Sequence, residues 1–512
     1  MPTLLLLIGY PVYWIELYFF SHPTGHSTWL ASGLLAVAIC CLLYCKRPSV
    51  SFPIENKFLW VACAFALVIM AVAGVASTLP PHLAQEYDAI NYHITIPRQH
   101  LLTGSFAHLT WSLADLFLLP VNFALAPFWL VTELPNKWPQ FLFFLSLPFI
   151  VGSLTRKLGG DTLQAWMAGL LVVGAHGISI QAGTAMLDVA LCYLFVAALD
   201  SFLGGYVVLA AIEIAFFVFA KPAFPLLCFA LTFGLAIFWL AAFRSGVLTK
   251  WCWGFLPDQN KAPKGEIKKF LLAFLCASIV IGGPFMLKSF YYTGTPFCPL
   301  GVGFFSPLAA QTKSVRDEIK YRSDLHLVPK DGYGFTRTLK NFIIHFWWIT
   351  VPEEGVNNRF DYPLGLSLLL VLVPFIYFLT LSLRNRIFSI LPLLCVVYWV
   401  LWWYGMQQSR FLFVPMVLMI VTTVVACKRL SKVLWACVVI ALGFTALSVY
   451  RAHASDFGKT GFQVLRAYDA RLLKMGKAIG PGEKAEVDSP DAAFAPFIVD
   501  VKKENGFFVL KP

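Results

Sequence analysis

Residues 58–79 read FLWVACAFALVIMAVAGVASTL, between Lys57 and Pro80-Pro81. The stretch carries no Asp, Glu, Lys or Arg. As a helix it would cover about 30 Å, the apolar thickness of a bilayer. Runs of this kind recur in both directions. A window search places about thirteen spans, roughly at 3–20, 26–45, 58–79, 137–155, 163–182, 185–204, 206–220, 222–243, 270–290, 363–382, 387–404, 411–427 and 433–450. The first is the least regular, because Pro11 and Glu16 interrupt it. The expected fold class is an all-α polytopic membrane protein.

Composition agrees. The chain has 512 residues, 59% hydrophobic and 13% charged, with a mean hydropathy of +0.73. Soluble domains run near 45–50% apolar and about 25% charged, and no soluble fold of this size could hide the excess from water. In a bilayer the outer surface is apolar too. The net charge of +12 does not point to nucleic acid, because the basic residues sit mainly in short loops between spans. Anionic lipid headgroups are the expected partner. Most of the twelve cysteines lie inside apolar runs, and none has zinc or disulfide-framework spacing. The N-terminus lacks a basic n-region and a small-residue cleavage site, so it reads as a retained span.

Lys and Arg set the orientation. Lys46, Arg47 and Lys57 form one group; Arg156 and Lys157 the next; then Arg244, Lys250, Lys261, Lys264, Lys268 and Lys269; then Arg384 and Arg386; then Lys428, Arg429 and Lys432. With the spans above, all fall on one side, which the positive-inside rule makes cytoplasmic. The other side carries residues 80–136, 291–362 and the tail from 451. Stretch 113–131 is apolar enough to span, but counting it would flip every later basic loop. It is expected to lie in or on the outer interface, broken at Pro120 and Pro127. The domain reading is 1–57 as two spans and a loop, 58–450 as the main membrane module with its two large outer loops, and 451–512 as a small outer segment. The tail suggests short strands at Ile498–Val501 and Phe507–Leu510.

Charges near a membrane are informative because they are costly. The first outer loop holds Glu86-Tyr87-Asp88-Ala89-Ile90-Asn91-Tyr92-His93, then Pro97-Arg98. A helix over 87–96 would put Asp88, Asn91, Tyr92 and Thr95 on one face, with Pro97 limiting its length. Asp88 suits a general base acting on an acceptor hydroxyl; a solvated interfacial face is the alternative. Asp188 stands near the outer end of its span. Lys221 and Arg410 are basic residues on the side the topology disfavours. With Arg359 they suit a phosphate, or else they reach lipid headgroups. Asp88, His93 and Asp188 would bind a divalent ion if they converge. No phosphate-cradling Gly-rich loop, nucleophile elbow or His-Glu-x-x-His is present, and no cofactor besides that divalent ion is suggested.

Four stretches carry a family resemblance. They are Tyr87–His93 with Pro97 and Gly104, Gln181–Asp188, Tyr292–Pro299, and Gln407–Leu412 with Pro415. In this order, over about 58–427, the chain resembles the GT-C-type glycosyltransferases. It is similar to the bacterial lipid A aminoarabinose transferase and protein O-mannosyltransferase group. It departs from the O-mannosyltransferases in offering Tyr87-Asp88-Ala89 where they have an adjacent Asp-Glu pair. The resemblance implies a GT-C-like bundle with outer-face interfacial helices. It implies transfer of a sugar from undecaprenyl phosphate to an envelope glycan, lipid or protein, on the periplasmic face of a bacterial inner membrane. It makes Asp88 the base and Asp188 its support or the acceptor's positioner. Lys221 and Arg410 would hold the lipid phosphate, and Glu86, Tyr92, His93, Arg98, Arg359 and Gln408 would line the donor and acceptor sites. Two other readings compete. An O-antigen ligase or polymerase would depend on His326, His345 and Arg359, and a lipid-linked sugar flippase would place charges at mid-membrane depth.

Overall fold

The computed structural model describes residues 2–19, 33–34, 56–79, 88–109, 112–129, 137–221, 250–252, 266–299, 302, 316, 334–350, 360, 363–405, 407–427, 432–457, 484–485, 501–504 and 507–510. Its helices are α1 (Pro2–Phe19), α2 (Lys57–Ser77), α3 (Thr95–Thr103), α4 (Pro120–Trp129), α5 (Trp138–Lys157), α6 (Thr162–Val173), α7 (His176–Gln181) and α8 (Asp188–Leu203). They continue as α9 (Val207–Phe219), α10 (Glu266–Ile281), α11 (Gly283–Thr293), α12 (Leu339–Trp348), α13 (Leu366–Arg384), α14 (Ile390–Tyr404), α15 (Phe413–Ala426) and α16 (Lys432–Phe457).

Among the described residues six helices are long and apolar enough to cross a membrane, or seven if the bent pair α10–α11 is one span. Three shorter apolar helices, α6, α9 and α14, accompany them. That is fewer full-length spans than the thirteen expected. Expected spans 26–45 and 222–243 lie almost wholly outside the described residues. Two others are not straight rods. The 163–182 run breaks after Gly174, where Ala175 is extended at φ −77, ψ 105. The 270–290 run bends by 55° at Gly282, where Pro284 opens the next helix. Proline suits a first turn because its missing N–H would have had no partner there. α1, the span expected to be irregular, is one continuous helix through Pro11, with Glu16 buried.

The span built on α15 is the centre of the bundle, 89% of it buried, against 28–56% for the other five. It packs on α5, α6, α8, α13 and α14. The outer helices show apolar side chains outward, among them Leu67, Leu272, Val373 and Val433. In water that surface would be a liability; lipid tails cover it without cost. The described protein is a helical membrane bundle.

Contacts at one end support the loop sorting made from basic residues. Strand β1 (Lys250–Cys252) pairs in parallel with β2 (Ile387–Ser389), Lys250 opposite Ile387, so two of the basic loops lie side by side. Lys157 pairs with Asp200 at 2.8 Å. Asp161 and Gln164 form a capping box at the start of α6, and Gln164 Nε2 donates to the carbonyls of Val424 at 2.7 Å and Cys427 at 2.8 Å. The tail forms a small antiparallel sheet of β3 (Lys484–Ala485), β5 (Phe507–Leu510) and β4 (Val501–Glu504), with β5 in the middle. One expected tail strand is in place and the other lies further along than 498–501.

Stretch 113–131 is not an interfacial helix on the surface. It forms a 3-10 turn, Leu113–Leu116, then α4, whose residues Pro120–Phe128 are all buried. The chain does break before Pro120, but Pro127 lies inside the helix. Ten residues reach only about 15 Å, too short to cross. α4 packs on α1, and Gly9 makes that possible, since a Cβ there would sit 1.9 Å from the Ala124 carbonyl oxygen. Gly9→Leu should therefore part α1 from α4 and cost about 1–3 kcal/mol as an overpacked contact. The check is the melting midpoint of the detergent-solubilised protein by size-exclusion fluorescence; an unchanged midpoint would show that this contact is dispensable.

Candidate functional site

Asp88, Asp188, Lys221 and Arg410 come together from four separate elements. Asp88 stands just before a π-helical turn, Ala89–His93, closed by Ile94 N–H donating to Ala89 C=O at 3.0 Å. This wider turn replaces the α-helix expected over 87–96. Pro97 does not limit the next helix either. It lies in the first turn of α3, where a missing N–H costs nothing. π turns are rare and recur at functional sites.

Arg410 belongs to the 3-10 turn Ser409–Leu412 that opens the central span. Its Nη1 donates to Asp88 Oδ2 at 3.1 Å, and its Nε and Nη2 donate to Gln408 Oε1 at 3.2 and 3.0 Å. The turn is held from several directions. Trp402 Nε1 donates to Gln408 C=O at 2.7 Å, Ser409 N–H to Phe360 C=O at 2.8 Å, and Phe335 N–H to Gln407 Oε1 at 2.6 Å. The Tyr92 ring packs against His93, 4.2 Å between ring centroids.

Asp188 is the first residue of α8. The turn before it is tied by the Thr184 hydroxyl, which donates to Gln181 C=O at 2.8 Å and accepts from Met186 N–H at 3.2 Å. Lys221, two residues past the end of α9, donates to Asp188 Oδ1 at 2.7 Å. Both side chains are almost wholly enclosed, 10% and 1% exposed. The Phe411 ring lies between the two cations, 5.5 Å from Lys221 Nζ and 5.6 Å from Arg410 Cζ.

The result is two carboxylates and two cations in one cluster, with balanced charge. The sequence reading treated Lys221 and Arg410 as anion binders with no prior occupant; in the fold each already holds a carboxylate. Burial works to raise the Asp88 carboxyl, and the Arg410 charge leads the opposing effects that carry it below the ordinary carboxylate value. Asp88 is therefore ionised at neutral pH. Burial lowers His93 to about 3, so its ring is neutral. Asp88, His93 and Asp188 were a candidate metal set. Among the described residues no group of three or more His, Cys, Asp or Glu is placed to hold a metal ion, and both carboxylates are occupied by organic cations. Arg98 is on α3, partly buried. Glu86 and Arg359 lie outside the described residues.

Two polar clusters escaped the sequence reading. Asp115 is enclosed in the first outer loop and accepts from His100 Nε2 at 2.5 Å, His108 Nδ1 at 3.0 Å, Leu109 N–H at 2.6 Å and Lys288 Nζ at 2.6 Å. Gly104, left-handed at φ +57, turns the chain from α3 into this cluster. Lys288 comes from α11, so the cluster ties the loop to the bent span. In α9, buried Glu213 accepts from the Thr3 hydroxyl at 2.7 Å and the Ser201 hydroxyl at 2.8 Å. Neither cluster is complete in a local motif, because Lys288 joins Asp115 from 173 residues away and Thr3 joins Glu213 from 210. The signal available was the cost of a lone Asp, Lys or Glu in an apolar setting, which demands a partner.

No family model matches the chain, and no curated protein does. A solved structure that it resembles is the Archaeoglobus fulgidus oligosaccharyltransferase, tethered with an acceptor peptide containing the NVT sequon via a disulfide bond. Identity is 13% and the TM-score 0.37, covering 87% of this chain and 59% of that one. This chain thus spans about three fifths of that chain's length, and a superposition of this quality sets no residue correspondence.

Proposed function

We propose that the protein is a GT-C-type inverting glycosyltransferase that moves a sugar from undecaprenyl phosphate to an envelope glycan, lipid or protein. One observation carries this reading: the ion pairs Asp88–Arg410 and Asp188–Lys221 stand at the starts of α8 and α15, whose far ends reach the Lys157–Asp200 pair and Gln164 beside the basic loops. By the positive-inside rule the end with the ion pairs faces the periplasm of a bacterial inner membrane. Residues 58–450 would form the catalytic module, 1–57 an N-terminal addition and 451–512 a small periplasmic segment.

The geometry suits the chemistry. The acceptor oxygen attacks the anomeric carbon as the bond from that carbon to the phosphate oxygen breaks. The bonding pair leaves with the phosphate, and the acceptor's proton passes to Asp88. Negative charge grows on the leaving phosphate and is met by Arg410 and Lys221. As the phosphate draws on Arg410, Asp88 loses part of the charge that depresses it and becomes a stronger base. Asp188 would keep Lys221 in place. The donor's polyprenyl tail would remain in the bilayer.

The test is Asp88→Asn at normal protein level, read by mass spectrometry of host envelope lipids and glycans. The expected result is loss of one sugar, accumulation of its polyprenyl-phosphate donor, and a fall of about 10²–10⁴ in rate for purified protein. An unchanged envelope, where deletion of the protein removes the sugar, would eliminate Asp88 as base. A pH profile gives a second check. Asp88 acts as base only when ionised, so wild-type activity should be lost only as pH falls below the ordinary carboxylate value of about 4. Arg410→Gln removes the main depressing charge, and the acid limb of its residual activity should move up. A limb that stays in place would separate Arg410 from Asp88 ionisation.

The ligase or polymerase reading loses one of its three residues. His345 is boxed by Phe346, Trp399, Trp402 and Trp403, and its Nε2 accepts from Trp399 Nε1 at 2.8 Å. Burial lowers it to about 4, which fits a core histidine. His326 and Arg359 lie outside the described residues. For the flippase reading, Glu213 is a buried span carboxylate, but the Thr3 and Ser201 hydroxyls each engage one of its oxygens.

A further inference from the structure

His93 is fully buried, and its tautomer follows from its neighbour. Asn122 Nδ2 lies 2.7 Å from His93 Nδ1 and 3.0 Å from the His93 carbonyl oxygen. Only a donor can face a carbonyl oxygen at that distance, so the Asn122 amide nitrogen is correctly placed and His93 Nδ1 accepts from it. The ring proton is then on Nε2. That N–H is buried and has no hydrogen-bond partner among the described residues. Asp188 presents the complementary case: Oδ1 is taken by Lys221, while buried Oδ2 has no partner. His93 closes the π turn that Asp88 opens, Asp88 holds Arg410, and the Phe411 ring links Arg410 to Lys221, so the turn that carries His93 stands beside both ion pairs. A buried donor and a buried acceptor left unsatisfied each cost about 1–3 kcal/mol, so such groups call for an occupant.

We infer that His93 Nε2–H and Asp188 Oδ2 are a matched donor and acceptor for an uncharged hydroxyl of the substrate. A hydroxyl accepts one hydrogen bond and donates another, which is what this pair asks for. An anion would be repelled by Asp188. A cation would find a proton, not a lone pair, at His93 Nε2. Lys221 and Arg410 take the phosphate and this pair takes the sugar ring, so the pair reads the glycan and not the lipid. Gln181, at the far end of the turn that leads to Asp188, also keeps both amide atoms buried and unpartnered, as a hydroxyl-rich ligand requires. This inference rests on the glycosyltransferase reading.

Two substitutions separate the roles of His93. Asn can keep an acceptor near the Nδ1 position for Asn122 but loses the far N–H. Gln can place an amide N–H near the Nε2 position. Purified full-length protein in nanodiscs is titrated with bare undecaprenyl phosphate and with the same lipid carrying glucose, mannose, galactose or arabinose. Wild type should bind at least one loaded lipid more tightly than the bare one. His93→Asn should weaken that lipid by at least about tenfold and leave bare undecaprenyl phosphate unchanged, while His93→Gln restores part of the loss. Full affinity of His93→Asn for the loaded lipid overturns the inference. So does a wild type that binds bare and loaded lipids equally, although the lipid-phosphate reading then stands. If wild type binds neither lipid, the glycosyltransferase reading fails and the inference falls with it.

Discussion

Lys221→Met is expected to be among the most damaging single changes in the protein. It leaves Asp188 ionised in a pocket where the carboxylate is 1% exposed and its only partner cation among the described residues is gone. Breaking a buried pair from one side costs about 3–5 kcal/mol, because the remaining charge is desolvated and uncompensated. The protein should melt far lower in detergent and transfer no sugar. The informative variant is the double, Lys221→Met with Asp188→Leu. With both charges gone the desolvation penalty goes too, and stability should return to within about 1–2 kcal/mol of wild type. Activity should not return, since the phosphate cation and the hydroxyl acceptor are both missing. A double variant that is stable and active would make the pair a structural prop and move the chemistry elsewhere.

The second large effect is expected at Asp115. Asp115→Leu removes the acceptor shared by His100, His108, the Leu109 N–H and Lys288. Lys288, 4% exposed, is left as an unpaired buried cation. A cost of about 3–5 kcal/mol follows, and limited proteolysis should show residues 104–109 opened first. The cluster also carries a pH signature. Burial acts to raise the Asp115 carboxyl, but the His100 charge, the hydrogen bonds from His100 and His108, and Lys288 hold it below the ordinary value. A depressed folded-state value means that its contribution is complete above the unfolded value of about 4 and is lost as pH falls through the folded one. Wild type should lose stability in acid below about pH 4, and Asp115→Leu should lack that component. Equal acid sensitivity in both proteins would show that other carboxylates set the limb.

Much of the architecture was legible because lipid simplifies the code. A backbone that cannot bond to hydrocarbon must be helical, so length and apolarity are enough to find spans such as 58–79 and 433–450. The basic loops could be sorted because Lys and Arg resist translocation, and the β1–β2 pairing places two of them side by side. Harder to see was where a run of apolar residues stops being one rod. Gly174 and Gly282 sit within runs that hydropathy treats as continuous. Stretch 113–131 was apolar because it is buried under α1, not because it touches lipid. Hydropathy reports the avoidance of water and cannot tell a protein interior from a bilayer.

The four charged residues at the site stood out for the opposite reason. Asp88, Asp188, Lys221 and Arg410 are charges where charge is expensive, so each had to have a purpose. The sequence by itself determined that this is a helical membrane bundle and which rare charges stand out in it. Only the tertiary structure decided that Arg410 belongs to Asp88 and Lys221 to Asp188, and that Asp115 gathers His100, His108 and Lys288. It alone placed the His93 proton on Nε2. Hydropathy is a local sum along the chain, whereas an ion pair between residues 322 positions apart depends on distances that exist only once the helices have packed.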